Sequence, residues 1–327
     1  MSRLRLLVLL VLLCLVLFAS SLLVGPAAVG PGASLQALVR DDGGPLTLVM
    51  REIRLPRALL GLMVGLSLGL SGAALQGYLR NPLAEPGVIG VSAGAALGAV
   101  IALQTGFAAT FALALPLAAL TAALVSVLLI LGLAGTGGTI PLILAGVAIS
   151  ALASALTSLV LNLSPNPFAA NDIVFWLMGS LADRSFAHVA IALPVMALGW
   201  IALATLGRGL EALTLGEDAA VSRGIDLKRL RFMLVLGVAA AVGASTAVAG
   251  AIGFVGLVVP HVLRPLVGAR PGRLLPAAAL GGAALVLAAD IAVRLILPGR
   301  DLKLGVLMAL VGAPIFLHLV WRSRREP

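Results

Sequence analysis

The side chains that could do chemistry in this chain are charged residues gathered at three places. The most highly charged segment is GRGLEALTLGEDAAVSRGIDLKRLR, residues 207–231. Thr214 and Glu217 have the spacing of a helix capping box, and Gly224 suits a left-handed helix end. The segment therefore predicts a short, rigid helix over about 215–223, with a merely solvated loop as the alternative.

A second polar group, RNPLAEP at residues 80–86, separates two apolar runs. The residue before each proline is pushed away from helical geometry, and proline lacks the N–H that a continuing helix needs. Asn81 can cap backbone donors in such a turn. The segment therefore predicts a membrane hairpin with a polar hinge at its tip. The hinge residues are Arg80, Asn81, Pro82, Glu85 and Pro86.

A third group of charges lies near the ends of two other apolar runs. Arg54 and Arg57 flank Pro56 at the start of one run, and Asp290 and Arg294 stand four residues apart near the end of another. Snorkelling toward the membrane surface would explain the arginines. Because an ionisable group in a membrane is costly without a partner, an ion pair between Asp290 and Arg294 is the simplest interpretation. A proton relay would need further partners, which the sequence does not show.

Several classes of function are excluded by the sequence. The chain has two lysines, and neither belongs to a G-x-x-x-x-G-K-[ST] loop, so ATP hydrolysis by P-loop chemistry is excluded. No G-x-S-x-G motif and no pair of carboxylates within an apolar run offers a membrane enzyme its nucleophile or its acid and base. His188, His261 and His318 lie apart, and Cys14 is the only cysteine. We therefore expect no metal, cofactor or internal disulfide.

The composition is that of a polytopic membrane protein. Hydrophobic residues make up 61% of the 327 residues and charged residues only 11%, against about 25% charged in soluble proteins. No Asp, Glu, Lys, Arg or His occurs between Glu85 and Asp172, a length that holds three spans of about 20 residues. The formal charge of +9 is best explained by basic residues that set membrane topology, so no nucleic acid partner is expected.

Uncharged runs predict about ten transmembrane helices, and so an all-α fold with a single membrane domain, residues 1–327. The first run is longer than a signal-peptide core, which favours a retained helix. Residues 57–162 and 229–321 each hold four predicted spans in opposite orientation, so an inverted repeat is possible. The predicted spans are 6–24, 57–78, 88–105, 109–133, 140–162, 186–206, 229–248, 252–267, 274–297 and 304–321.

Two of these runs carry glycines every fourth residue, on one helix face each. Small residues at this spacing let backbones approach closely in lipid, so close helix packing is expected. A flexible lining of a transport path is the alternative. The glycines are Gly61, Gly65 and Gly69 in the first run and Gly90, Gly94 and Gly98 in the second.

The distribution of Lys and Arg predicts the orientation. An even number of spans places both termini on one side, and both terminal segments are rich in arginine. The hinge and the segment 207–231 fall on that same side. Because basic residues favour the cytoplasm, both termini are expected to be cytoplasmic.

The chain resembles a known family over nearly its full length. Besides the hairpin, four segments carry the resemblance: VFWLMGSL (174–181), LGEDAAVSRGID (215–226), AGAIGFVGLVVPHVLR (249–264) and LMALVGAPIF (307–316). They are similar to the FecCD-like or BtuC-like permease subunits of bacterial ABC importers for iron siderophores, haem and vitamin B12.

The resemblance implies a permease in the cytoplasmic (inner) membrane that pairs with a second permease subunit, identical or similar. It implies two cytoplasmic ATPase subunits that bind ATP and Mg²⁺, and a periplasmic or lipid-anchored substrate-binding protein. The ATPase would receive the segment 207–231, with the hinge as support, and the binding protein would meet Arg54, Arg57 and Arg294. The residues implied in ATPase coupling are Leu215, Gly216, Glu217, Asp218, Ala219, Arg223 and Gly224.

The expected cargo is an iron chelate, either a ferric siderophore or haem, and cobalamin is the alternative. An ion-coupled secondary transporter is a further alternative, although Asp290 is poorly placed for an ion site at mid-membrane. One departure from the family pattern stands before the last helix, where Asp301-Leu302-Lys303-Leu304-Gly305 replaces the usual ELPVG. No substrate contact is transferred to this turn.

Overall fold

The computed structural model describes residues 3–25, 30–40, 43–111, 113–135, 138–164, 167–297 and 302–323. Within these ranges the regular structure is helical, without a strand. The α-helices are α1 (Arg3–Leu23), α2 (Pro31–Val39), α3 (Pro45–Leu48), α4 (Leu55–Leu79), α5 (Val91–Gln104), α6 (Ala114–Ala134), α7 (Thr139–Asn162), α8 (Pro167–Leu177), α9 (Phe186–Ala204), α10 (Gly207–Leu213), α11 (Glu217–Ser222), α12 (Leu227–Ala249), α13 (Val255–Leu263), α14 (Pro271–Ile296) and α15 (Leu304–Ser323). The ten predicted spans coincide with α1, α4 to α7, α9 and α12 to α15.

The helices differ in their ability to cross a membrane. Seven helical segments of the described chain are long and apolar enough to do so, and two shorter apolar stretches are α5 and the Leu304–His318 part of α15. The nine residues of α13 rise about 14 Å, roughly half of the 30 Å hydrocarbon core. The predicted span 252–267 is therefore wrong in length, because the chain is not helical at 250–253 and α13 begins only after a left-handed Phe254 (φ 68°).

The centre of the molecule is formed by α4 and α12, which pack against each other. Their most apolar windows are 83% and 72% buried, whereas those of α1 and α7 are each 22% buried. The outer helices instead expose large apolar side chains such as Leu128, Leu133 and Leu144. Such a surface suits lipid, since a water-soluble protein would bury much of it.

The helix contacts fit the inverted repeat. In one set α4 packs on α14 and α13, and in the other α12 packs on α6 and α5. Contacts within the sets also correspond: α5 packs on α6 and α7, and α13 packs on α14 and α15. If α4, α5, α6 and α7 are exchanged in that order with α12, α13, α14 and α15, each of these helix contacts becomes another contact that is also present. The two short helices even begin alike, after left-handed residues Gly90 and Phe254.

The glycines of α4 allow a close approach between the two sets. A Cβ at Gly65 would overlap the Gly282 carbonyl oxygen, and one at Gly69 would overlap that of Ala278. In α5, Gly94 and Gly98 approach α6 equally closely. The remaining two differ. Gly61 faces only side-chain atoms of Leu287 and Leu181. Gly90 precedes α5 in a left-handed conformation and so does not belong to its packing face.

Some helices were missed by the sequence analysis because they are too short to span. The connection 25–56 contains α2, α3 and a π-helical turn, Val49–Arg54, that continues directly into α4. Residues 167–177, between the predicted spans 140–162 and 186–206, form α8. In each case the signal was a proline at the first helical position, as at Pro31, Pro45 and Pro167.

Candidate functional site

The charged groups lie at two opposite ends of α4. We call them the Arg57 end, where α4 begins and α1 and α14 finish, and the Arg80 end, where α4 finishes and α12 begins. The hinge and the segment 207–231 share the Arg80 end, where they meet in a cavity of about 250 Å³. Its lining residues are Tyr78, Arg80, Gly138, Thr139, Leu213, Glu217, Leu227, Lys228 and Arg231. We call this cavity the hinge–loop pocket.

The segment 207–231 folds into two short helices, α10 and α11. The expected capping box is wrong, because the residue that precedes α11 is Gly216, which has no side chain to cap the helix. The Thr214 hydroxyl donates instead to the Glu211 carbonyl at 2.7 Å. The predicted left-handed end at Gly224 is confirmed (φ 79°). The Ile225 N–H closes it by donating to the Ala220 carbonyl at 3.1 Å, as in a Schellman motif.

The segment is fastened to the membrane helices and still presents a surface. α10 packs on α14 and α4, and α11 packs on α12 with Ala220 fully buried. Leu215 and Val221 are 59% and 56% exposed. Glu217, Asp218 and Arg223 are also exposed. The result is a rigid projection with apolar and charged side chains, which suits contact with another protein.

The hinge is held by polar contacts. Asn81 accepts a hydrogen bond from the Leu83 N–H at 2.9 Å, the turn capping that was predicted. Arg80 ends α4 in a left-handed conformation (φ 50°). The Glu85 carboxylate accepts a hydrogen bond from the Phe254 N–H and thereby caps α13. Burial raises the pKa of Glu85, and the bond from Phe254 opposes this in part.

Gln76 is a functional candidate that the sequence analysis did not single out. Its side chain is fully enclosed, and its amide nitrogen lies 3.3 Å from the carbonyls of Ala84, Gly256 and Leu257. Its amide oxygen accepts from Arg264 at 2.7 Å. Gln76 therefore joins the hinge to α13 across the two helix sets. The available signal was an amide inside an otherwise apolar membrane helix.

The Arg57 end contains a buried cluster of ions. The predicted pair between Asp290 and Arg294 is present, with Arg294 2.9 Å from Oδ2 of the carboxylate. Arg57 contacts the other oxygen, Oδ1, through two nitrogens at 2.8 and 3.0 Å. Asp290 is nearly inaccessible, so both arginines compensate a charge that burial alone would make unfavourable.

The same cluster caps the end of α1. Arg54, 4% exposed, donates to the Leu22 and Leu23 carbonyls at 2.9 and 3.1 Å. Arg294 donates to the Ser21 and Val24 carbonyls at 2.8 and 2.7 Å. The arginines expected to meet a binding protein thus have structural partners inside the chain. Among the described residues, this cluster contains three arginines and one carboxylate.

A comparison with known protein families gives one extensive match. The model of the FecCD transport family matches residues 12–322. The chain belongs to the FecCD transport family. One FecCD relative is the Fe(3+) dicitrate transport system permease protein FecD of Escherichia coli (strain K12), 38% identical over 276 residues, which are 84% of this chain and 86% of FecD. Another is the vitamin B12 import system permease protein BtuC of Vibrio vulnificus (strain CMCP6), 37% identical over 98% of this chain and 95% of BtuC.

A solved structure extends the likeness to the fold. It is described as an inward-facing conformation of a metal-chelate type ABC transporter, and it matches this FecCD protein with a TM-score of 0.84 at 33% identity. The match covers 98% of this chain and 99% of the other. The chain therefore has the all-α membrane fold of this solved structure over the matched 98% of its length.

The turn that departs from the FecCD pattern lies partly outside the described residues, which exclude Asp301. Lys303 is described, and its ammonium lies 5.4 Å from the centre of the Phe175 ring at the end of α8. This cation–π distance gives the lysine a local structural contact. Among the described residues, no group of three His, Cys, Asp or Glu side chains could hold a metal ion.

Proposed function

We propose that this FecCD family chain is the permease subunit of a binding-protein-dependent ABC importer that carries an iron chelate, a ferric siderophore or haem, across the cytoplasmic membrane. The observation that carries the proposal is the rigid projection formed by α10 and α11 at the Arg80 end of a membrane domain of this family. A fastened helix can transmit a push from an attached ATPase to α4, α12 and α14, whereas a loose loop would absorb it.

The subunits and their sides follow from this role. The Arg80 end and both termini face the cytoplasm, in agreement with the arginines of the terminal segments and the basic residues of 207–231. Two ATPase subunits bind there and hold the ATP and Mg²⁺, while this chain holds no cofactor. A second permease subunit, most simply another copy, completes the transport path. The binding protein approaches the Arg57 end from outside.

The arginine cluster serves the binding protein through its charge and its rigidity. Arg57 and Arg294 share the single carboxylate of Asp290, which leaves an excess of positive charge among the described residues near the ends of α4 and α14. Acidic side chains on a partner would be attracted to this surface even where the arginines are largely enclosed, because the field is weakly screened at short range. The internal hydrogen bonds hold the surface in one shape.

The cargo is inferred from the named relatives and the solved structure. At nearly equal identity, one relative transports Fe(3+) dicitrate and another imports vitamin B12, so overall identity does not choose between them. Both cargoes are metal chelates, and the matching structure is of the metal-chelate type. Cobalamin is therefore the second candidate.

The decisive experiment is transport into liposomes by the purified permease with its own binding protein and ATPase. We expect uptake of a ferric siderophore or haem that requires ATP and both partner proteins. Uptake of cobalamin alone would assign the second candidate. Uptake driven by an ion gradient without the ATPase would contradict the proposal and indicate a secondary transporter.

A further inference from the structure

The hinge–loop pocket carries an excess of positive charge. Arg80, Lys228 and Arg231 line it together with a single carboxylate, that of Glu217. The Tyr78 hydroxyl and the Thr139 side chain lie beside each other in the same wall and add two neutral hydrogen-bonding groups. The pocket thus combines several donors and a net charge of about +2 in a cavity of about 250 Å³.

The cations of the pocket are only partly used by the protein. Arg231 is buried and donates one hydrogen bond, to the Gly135 carbonyl at 2.5 Å, which leaves further guanidinium donors. Among the residues that the structure describes, the side chains of Arg80 and Lys228 make no hydrogen bond or ion pair. Three cations beside one carboxylate repel each other, so their convergence favours a further anion among them.

The backbone of Arg80 gives an independent reason to expect a role for its side chain. Arg80 holds the left-handed conformation (φ 50°) at the end of α4, where glycine is the usual residue. A side chain in this conformation is under strain, which glycine would avoid. Arg80 lines the pocket together with Lys228 of α12, and both residues are exposed.

The position of the pocket at the ends of the membrane helices indicates the kind of anion. Its walls come from the last turn of α4 and the first turns of α7 and α12, where membrane helices reach the polar surface of the bilayer. Lipid phosphates lie at this level, and basic pockets between membrane helices bind anionic headgroups.

We propose that the hinge–loop pocket binds a phosphate group, held by Arg80, Lys228 and Arg231, and that this group belongs to an anionic phospholipid of the adjoining leaflet. The bound phosphate links Arg80 of the hinge to Lys228 and Arg231 of α12, the helix on which α11 packs, and it offsets the positive charge that the single carboxylate of Glu217 leaves uncompensated. The free permease should therefore retain an anionic lipid that steadies the α10–α11 projection.

The test measures lipid binding to the purified permease by native mass spectrometry with added phosphatidylglycerol or phosphatidylcholine. We expect a preference for phosphatidylglycerol that falls about tenfold or more in Arg80→Gly and in Lys228→Gln, since each removes a charged donor. Arg80→Gly also relieves the left-handed strain, so the variant should fold. The matched control is Arg208→Gln, an exposed arginine of the same segment that does not line the pocket.

A second arm identifies the source of the phosphate. Thermal unfolding in detergent is compared in inorganic phosphate and in chloride at equal ionic strength. Stabilisation by phosphate that depends on Arg80, together with loss of the lipid preference, supports the lipid site. If inorganic phosphate stabilises the chain through Arg80 but no lipid preference is seen, the pocket binds free phosphate and not a lipid headgroup. The proposal would be overturned if the two variants bound lipid and phosphate as well as the wild type does. It would also be overturned if the variants lost only their association with the ATPase.

Discussion

Arg57 of α4 and Asp290 of α14 are joined by paired hydrogen bonds, with the guanidinium nitrogens 2.8 and 3.0 Å from one carboxylate oxygen. They are 233 residues apart in sequence. Arg294 binds the other oxygen of the same carboxylate at 2.9 Å. One aspartate therefore ties together the two helices that approach each other at Gly65 and Gly69, and it also compensates two partly buried arginines.

The first prediction concerns the stability that Asp290 provides. Asp290→Asn would leave two enclosed guanidinium groups without a counter-charge, so the free energy of unfolding should fall by about 3–5 kcal/mol. Unfolding of the detergent-purified chain measures this. Asp218→Asn, at an exposed aspartate of α11, is the matched control and should change stability little. An equal effect of both variants would contradict the assigned role of Asp290.

The second prediction concerns the contact between α4 and α14. Gly69→Ala places a methyl group on the Ala278 carbonyl and should destabilise the chain by about 1–3 kcal/mol or more. Gly132→Ala is the control, because a Cβ at Gly132 of α6 meets nothing within 4 Å. Thermal unfolding should separate the two variants, and the control should match or exceed the wild type because alanine favours helix. A tolerated Gly69→Ala would refute the close approach.

The third prediction concerns the Arg57 end as the binding-protein surface. Arg57→Glu should weaken the stimulation of ATP hydrolysis by the binding protein, because it removes a positive charge and adds a negative one. Since Arg57 also pairs with Asp290, some loss of stability should accompany it. Gel filtration with the ATPase therefore tests that the complex still assembles.

The matched control for that surface is Arg40→Glu, at an exposed arginine that follows α2 and lies outside the ion cluster. We expect stimulation to fall much less than in Arg57→Glu. Unaltered stimulation in Arg57→Glu, with assembly intact, would exclude the arginine cluster from docking.

The fourth prediction concerns the projection at the Arg80 end. Replacing Glu217 and Asp218 together by lysine should impair assembly with the ATPase or uncouple hydrolysis from transport, because both acids are exposed on α11. Glu52→Lys changes an exposed acid near the opposite end of α4 and should leave assembly unchanged. Co-purification and ATP hydrolysis measure the outcome. Normal assembly and coupling in the double variant would rule out α11 as the coupling helix.

The fifth prediction concerns pH and the hinge. Burial raises the pKa of Glu85 above its ordinary value of 4.5, so the folded chain binds this proton more tightly than the unfolded chain. The contribution of Glu85 to stability is therefore fully present below that ordinary value and is lost as the pH rises through the folded pKa. Glu85→Gln keeps an oxygen for the Phe254 N–H and should be more stable than the wild type at neutral pH.

The pH profile distinguishes this effect from a simple change in packing. The difference in unfolding free energy between Glu85→Gln and the wild type should shrink as the pH falls. Glu85→Ala should be less stable than Glu85→Gln at every pH, because it leaves the Phe254 N–H without its acceptor. A difference between Glu85→Gln and the wild type that does not vary with pH would contradict the raised pKa.

The sequence was a good guide to the membrane helices and a poor guide to the short ones. Apolar runs located α4, α6 and α12 well, because the bilayer demands about 20 apolar residues wherever a helix crosses it. Helices such as α2 and α8 have no such length requirement. The capping box at Thr214 had the right spacing but failed, since the chain turns at Gly216 before the helix begins.

The sequence by itself determined the family, the membrane fold and the segments that carry charge, because these depend on composition, local spacing and the order of motifs. Only the tertiary structure decided which charges meet. It placed Arg57 on Asp290, Glu85 on Phe254, and Arg80 in a pocket with Lys228. These partners lie more than a hundred residues apart in sequence. They meet because the helices that carry them pack together, and no local sequence pattern specifies that packing.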